Sequence, residues 1–98
     1  MIYKLLITYD IPEDKDNERY EVNKYLEQSE QWVHLQKSVW IILSKLTAEE
    51  TYQLLRTISN LYGSFSVVDV THETIFCNDS KDCSKPDGYL ILNSNYLS

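Results

Sequence analysis

The stretch Trp32-Val33-His34-Leu35-Gln36-Lys37-Ser38-Val39-Trp40-Ile41-Ile42-Leu43-Ser44, WVHLQKSVWIILS, is rich in β-branched and aromatic residues. Its thirteen residues are too many for one strand, since strands average about 5–6 residues. A bend or tight hairpin near Gln36-Lys37-Ser38 therefore splits the run into two strands.

The flanking segments read in relation to that hairpin. Upstream, residues 2–10 (IYKLLITYD) form a nearly continuous apolar run with one lysine, as suits a central strand covered on most of its length. Pro12 fixes its own φ and pushes Ile11 towards extended geometry, so this strand ends in a turn. From about Asp16 to Gln28, Val22, Tyr25, Leu26 and Ser29 recur at helical spacing, with Asp16 or Asn17 placed to cap the start.

Downstream of the hairpin, Thr47-Ala48-Glu49-Glu50 is a capping box, in which hydroxyl and carboxylate each satisfy an orphan amide. Ala48, Thr51, Tyr52, Leu55, Ile58, Ser59 and Tyr62 then fall on one helical face, and Gly63 is expected to end the helix at C′. Residues 64–71 (SFSVVDVT) follow as a strand. The order is β-α-β-β-α-β, an α+β fold with the split arrangement of ferredoxin-like sandwiches. The core spans residues 1–71 and the C-terminal extension 72–98. The extension reads as a short strand at 73–77, a polar loop at 78–88 and a strand at 89–93 (YLILN) that adds to a sheet edge, its own or a partner's. A homodimer is the natural expectation.

Composition bounds the rest. With 98 residues, 43% hydrophobic and 24% charged, the chain reads as a single domain, residues 1–98. No apolar run approaches the roughly 20 residues of a membrane span, and MIYKLLITYD lacks a signal-peptide pattern. A cytoplasmic protein is expected. Cys77 and Cys83 suggest neither a disulfide framework nor a zinc knuckle, and read as free thiols. The net charge of -6 repels phosphate, so any role on nucleic acid needs a local basic patch or a metal ion.

Candidate chemistry concentrates at the end of the first strand. Side chains alternate along a strand, so Ile7 and Tyr9 face one way and Thr8 and Asp10 the other. Asp10 has two readings. It caps the following turn through its side-chain oxygen, or it is a hard oxygen ligand for Mg²⁺ or Mn²⁺, ions that often take only one or two carboxylates and complete their shell with water and phosphate. Two copies brought together in a dimer would repel or recruit a cation. Glu13, Asp14 and Asp16 read as a solvated face beside a helix start. His34 and His72 read as structural, Ser38 as a turn residue without a base to activate it, and Tyr20, Tyr25, Tyr52, Tyr62 and Trp40 as core aromatics.

Three stretches, YDIPEDK (9–15), LQKSVWIIL (35–43) and LTAEET (46–51), followed by SFSVVDV (64–70), together resemble the small CRISPR-associated Cas-two proteins. The resemblance covers about residues 2–71, roughly seven-tenths of the chain. It implies a ferredoxin-like homodimer that works with an integrase partner in spacer acquisition for antiviral defence. In some members it implies a metal-dependent endonuclease acting on RNA or DNA. By this resemblance Asp10 is the catalytic and Mg²⁺-binding residue, and Tyr9, Lys15, Lys37 and Ser38 contact nucleic acid. The Ser-Val-aromatic segment is Ser38 to Trp40. The basic cluster usual after the aspartate turn is replaced here by DKDNERYE. SinR-like proteins, VapD-type toxin ribonucleases and the GhoS-type antitoxin are similar as well. The SinR-like and antitoxin-like branches imply the alternative of a non-catalytic interaction module that binds a protein partner.

Overall fold

The computed structural model describes residues 1–75 and the backbone of residues 82–83. The elements in order are β1 (Tyr3–Asp10), α1 (Asp16–Glu27), β2 (Trp32–Gln36), β3 (Val39–Ser44), α2 (Ala48–Ile58), β4 (Ser64–Asp69) and the two-residue β5 (Asp82–Cys83). They build an α+β domain around one sheet of order β4-β1-β3-β2-β5, every neighbouring pair antiparallel. It follows that β1 runs parallel to β2 with β3 between them, and β3 parallel to β4 with β1 between them. Two β-α-β units are thus interleaved, and β1 lies between β3 and β4.

The hairpin expected from residues 32–44 is present. Lys37 and Ser38 form its turn, and a register irregularity between His34 and Gln36 lets β2 and β3 meet across it. Trp40 sits at the centre, stacked on His34 at 4.0 Å between ring centroids and tilted against Trp32 at 5.3 Å.

One face of the sheet packs with both helices. Leu5, Ile7 and Tyr9 of β1, Trp32 and Trp40 of the hairpin and Ile42 join Val22 and Leu26 of α1 and Leu55 of α2 in one core. A fully buried Leu or Ile side chain typically contributes about 1.5–3 kcal/mol, so this layer supplies most of the driving force. The opposite face carries a second, smaller cluster of Val33, Leu35 and Ile41, on which Val70 and Ile75 pack as the chain leaves β4. Lys4 is fully buried beside this return. Its Nζ donates to the Glu73 carbonyl at 2.6 Å, and burial pulls its pKa below the ordinary lysine value, partly countered by Glu73.

Helix boundaries depart from expectation in instructive ways. The capping box at Thr47 is formed in both directions, Glu50 N–H to Thr47 Oγ1 at 3.2 Å and Thr47 N–H to Glu50 Oε1 at 2.9 Å. The N-cap of α1 is Lys15, with no side-chain cap, where Asp16 or Asn17 was expected. The cause is a turn that already bonds Lys15 N–H to the Pro12 carbonyl (3.0 Å) and runs directly into the helix. Gly63 does not end α2, which stops at Ile58. The chain reverses instead through Asn60 (φ 55) and Leu61 (φ 67). Tyr62 lies beyond the helix and is exposed, as is Tyr20, which points away from the Val22–Leu26 stripe of α1. Neither is a core aromatic.

Past β4, Glu73, Thr74 and Ile75 are not strand, so the element expected at 73–77 is absent from its described part. Within the expected polar loop, Asp82 and Cys83 instead pair with His34 and Val33 at the outer edge of β2. The strand expected at 89–93 lies outside the described residues, and so does Cys77. Among the described residues no helix is long and apolar enough to cross a membrane.

Candidate metal and nucleic-acid site

Alternation along β1 places the side chains as expected. Leu5, Ile7 and Tyr9 are buried on the helix side, while Asp10, the last residue of the strand, is exposed on the other face. In register across β4, Thr8 faces Ser66 and Asp10 faces Ser64. Because directly paired residues share a face, the end of the sheet around Asp10 is lined by Thr8, Ser64 and Ser66. Val39, paired with Thr8, is the nearest apolar residue of that face, and Leu6 and Ile41 lie further along the strands.

The backbone brings Ser38 to the same end. Tyr9 N–H donates to the Ser38 carbonyl at 3.1 Å, so the β2–β3 turn abuts the last residues of β1. Lys37, beside it in the turn, is exposed, and its carbonyl accepts from His34 Nε2 at 3.0 Å. His34 therefore has a structural place, between that carbonyl and the face of Trp40. His72 is exposed near Asp69, where its charge helps hold the Asp69 carboxyl low, after the larger effect of Thr71.

Tyr9 belongs to the core. It is 6% exposed, its ring lies 6.0 Å from that of Phe65, and its hydroxyl donates to Asn23 Oδ1. Burial pushes the hydroxyl pKa up, against smaller opposing effects of Trp40, Arg19 and Asn23. Its ring is not offered to a base. Lys15 is engaged too, with Nζ 4.0 Å from the centroid of Tyr62. That interaction with Tyr62, then Asp14 and Glu18, holds the ammonium pKa above the usual lysine value against a small cost of burial. Asp10, Lys37 and Ser38 thus share one surface end, and Tyr9 and Lys15 are structural members beneath and beside it.

Two residues that the sequence reading did not place at this site shape this end. Arg19, on the second turn of α1, donates through Nη2 to the Ile11 carbonyl (2.9 Å) and the Pro12 carbonyl (2.8 Å), and through Nη1 to Asp16 Oδ1 (2.7 Å). The signal for it lay in Pro12: a proline turn leaves carbonyls that need donors, and Arg19 is the arginine closest to it in the chain. Gly63, at φ +88, brings its α-carbon so close to β1 that a Cβ there would stand 2.7 Å from the Asp10 carbonyl oxygen.

Among the described residues, no group of three or more His, Cys, Asp and Glu side chains forms a metal cage. What Asp10 offers is one carboxylate per chain with hydroxyl neighbours. That donor set fits Mg²⁺ or Mn²⁺, hard cations that retain water and take substrate phosphate as ligands. The chain matches no family model, no curated protein and no solved structure among known proteins.

Proposed function

We propose that this chain acts as a Cas-two-like, ferredoxin-like homodimer that binds nucleic acid and hydrolyses phosphodiester bonds of RNA or DNA with Mg²⁺ held at Asp10. The observation that carries the reading is the exposed carboxylate of Asp10 at the end of β1, on the face away from the helices. The strand order β4-β1-β3-β2 supports the ferredoxin-like assignment. The partners in this reading are a second copy, nucleic acid and an integrase, with the chain serving as nuclease or as structural subunit in spacer acquisition.

In this site a bound divalent ion would supply Lewis-acid charge and a water of lowered pKa. The chain's own residues do the rest. Asp10, together with the Asp10 of a second copy, would hold the ion, the exposed Lys37 ammonium would meet a phosphate, and the Ser38 and Ser64 hydroxyls would orient its oxygens.

The test is cleavage of labelled single-stranded RNA and double-stranded DNA in Mg²⁺, Mn²⁺ or EDTA, with Asp10→Asn compared at low salt and sedimentation reporting the dimer. Metal-dependent cleavage lost in a dimeric variant supports the reading, and full activity in the variant overturns it. A second reading, a non-catalytic module for a protein partner, is favoured by the exposed Glu13, Asp14 and Asp16 beside the site and the net charge of -6. It predicts no cleavage, and loss of partner binding on truncation near residue 78.

A further inference from the structure

The start of β1 lies at the end of the sheet opposite Asp10, an eight-residue strand away, roughly 23 Å at about 3.3 Å per residue. There the end of α1 and the corner between β3 and α2 border an open cleft of about 420 Å³, lined by Ile2, Tyr25 and residues 28–30 and 43–46. Its volume falls in the range of small-molecule sites, roughly 300–1,000 Å³. The walls are held by backbone bonding. β1 pairs with β3 at Tyr3 and Ser44, a register that continues to Ile2 and Lys45. Leu43 N–H donates to the Gln31 carbonyl at 3.0 Å, and the Ser44 hydroxyl accepts from Leu46 N–H at 2.9 Å.

The lining combines apolar surface with polar groups that the protein itself leaves unused. Ile2, Leu43, Leu46 and the ring of Tyr25 are all half-buried. The Tyr25 hydroxyl has no hydrogen-bond partner among the described residues, and burial pushes its pKa above the ordinary tyrosine value. Glu30 and Lys45 carry the only charges of the lining, one of each sign. Among the described residues neither makes an ion pair or a side-chain hydrogen bond. The cleft is therefore charge-balanced in a chain of net charge -6, unlike the acidic turn of Glu13, Asp14 and Asp16. Its two sides differ in sign. Glu30 follows the C-terminus of α1, where the helix dipole favours a cation, whereas Lys45 on the opposite wall favours an anion.

We propose that this cleft binds a free α-amino acid with an apolar side chain, its ammonium toward Glu30 and the end of α1 and its carboxylate toward Lys45. The ligand's side chain rests on Ile2, Tyr25, Leu43 and Leu46, and the Tyr25 hydroxyl bonds one of its polar ends. The site goes beyond the reading of Asp10 and does not depend on it. A lone anion would meet Lys45 but also face Glu30 and the carbonyl end of α1, and a lone amine would leave Lys45 unmet. A ligand carrying both signs close together complements both walls, and an apolar body uses the surface between them.

The experiment titrates the ¹⁵N-labelled full chain with L-leucine. Three analogues run in parallel: isocaproate, which lacks the ammonium, isoamylamine, which lacks the carboxylate, and glycine, which lacks the side chain. Lys45→Met and Glu30→Gln change exposed positions, and Tyr25→Phe keeps the ring, so the amide spectrum of each variant should report an intact fold.

L-leucine should shift the amides of residues 2, 25–30 and 43–46 and leave those of residues 8–10 and 64–66 in place. Each analogue should bind at least about tenfold more weakly, the loss of one charge-assisted hydrogen bond or one buried side chain. Lys45→Met should weaken L-leucine by a similar factor without changing isoamylamine, and Glu30→Gln should weaken L-leucine without weakening isocaproate. Tyr25→Phe should cost about two- to tenfold. Absence of shifts in the cleft at roughly 10 mM L-leucine, ten times a millimolar Kd, overturns the proposal. So does isocaproate binding as tightly as L-leucine, which would make the cleft an anion site. Equal losses for every ligand in Lys45→Met also overturn it, since Lys45 would then act on the shape of the cleft and not on the carboxylate.

Discussion

Replacing Gly63 by Ala should be among the more damaging single-methyl changes in this protein. Two costs add. At φ +88 the residue lies in the left-handed region, where an L side chain pays about 1–2 kcal/mol. The new Cβ would also sit 2.7 Å from the Asp10 carbonyl oxygen and 3.0 Å from Ile11 Cγ1. The first neighbour is backbone in a strand paired on both sides, so it yields only by displacing β1, an overpacking cost of about 1–3 kcal/mol.

The sum, about 2–5 kcal/mol, is a large part of the roughly 5–15 kcal/mol that holds a domain folded. Urea unfolding followed by the fluorescence of Trp32 and Trp40 measures it directly, since both indoles lie in the core. With a slope of about 1–3 kcal/mol per molar, the midpoint should fall by at least about 0.7 M. Gly63→Asn should fall between wild type and Ala, because asparagine accepts positive φ more readily but carries the same Cβ. A loss below about 0.5 kcal/mol for Ala, the range of ordinary surface substitutions, would refute the reasoning and with it the idea that Gly63 seats Asp10.

Other expectations follow from individual contacts. Thr47→Ala removes the hydroxyl half of the capping box of α2 and should cost about 1 kcal/mol in urea unfolding. Asp69 accepts from both the hydroxyl and the amide of Thr71, which hold its carboxyl below its ordinary value of 3.8. Its contribution is therefore present above about pH 3.8 and is lost as pH falls through the lowered folded value. Asp69→Ala should be less stable than wild type at pH 7 and converge with it in acid. Lys4 is shifted in the same direction for a different reason, burial of its ammonium. Burial lowers its pKa from 10.5, so between that lowered value and 10.5 the unfolded chain binds more protons and stability rises with pH. In Lys4→Met that rise should vanish, read as the difference in urea midpoint between variant and wild type at pH 7 and pH 10.

Much of this architecture can be read from residue order, because strand length and alternation are local signals. A thirteen-residue run rich in β-branched and aromatic residues requires a turn, and the alternation of Leu5, Ile7 and Tyr9 with Thr8 and Asp10 decides which way the carboxylate points. What escapes such reading depends on contacts distant in the chain. Gly63 looks like a helix terminator because glycines usually are, yet its conformation serves a close approach to Asp10, 53 residues earlier (63 minus 10). Tyr9 neighbours Asp10 in sequence but takes the opposite face, where Asn23 receives its hydroxyl. Asp16 looks like a cap, but its carboxylate is drawn to Arg19 and the turn from Pro12 supplies the helix start. Lys4 is the one lysine in a strand read as central and covered on most of its length. It is buried because Glu73, from the chain leaving β4, covers it and accepts from its ammonium.

The most direct test of the central claim is paramagnetic broadening of backbone amides during a Mn²⁺ titration of the ¹⁵N-labelled protein. Broadening should centre on Asp10, with Ser64 and the Ser38 turn next, and should disappear in Asp10→Asn. Broadening centred instead on Glu13, Asp14 and Asp16 and persisting in Asp10→Asn, or no broadening at all, would contradict the assignment of Asp10 as the metal ligand.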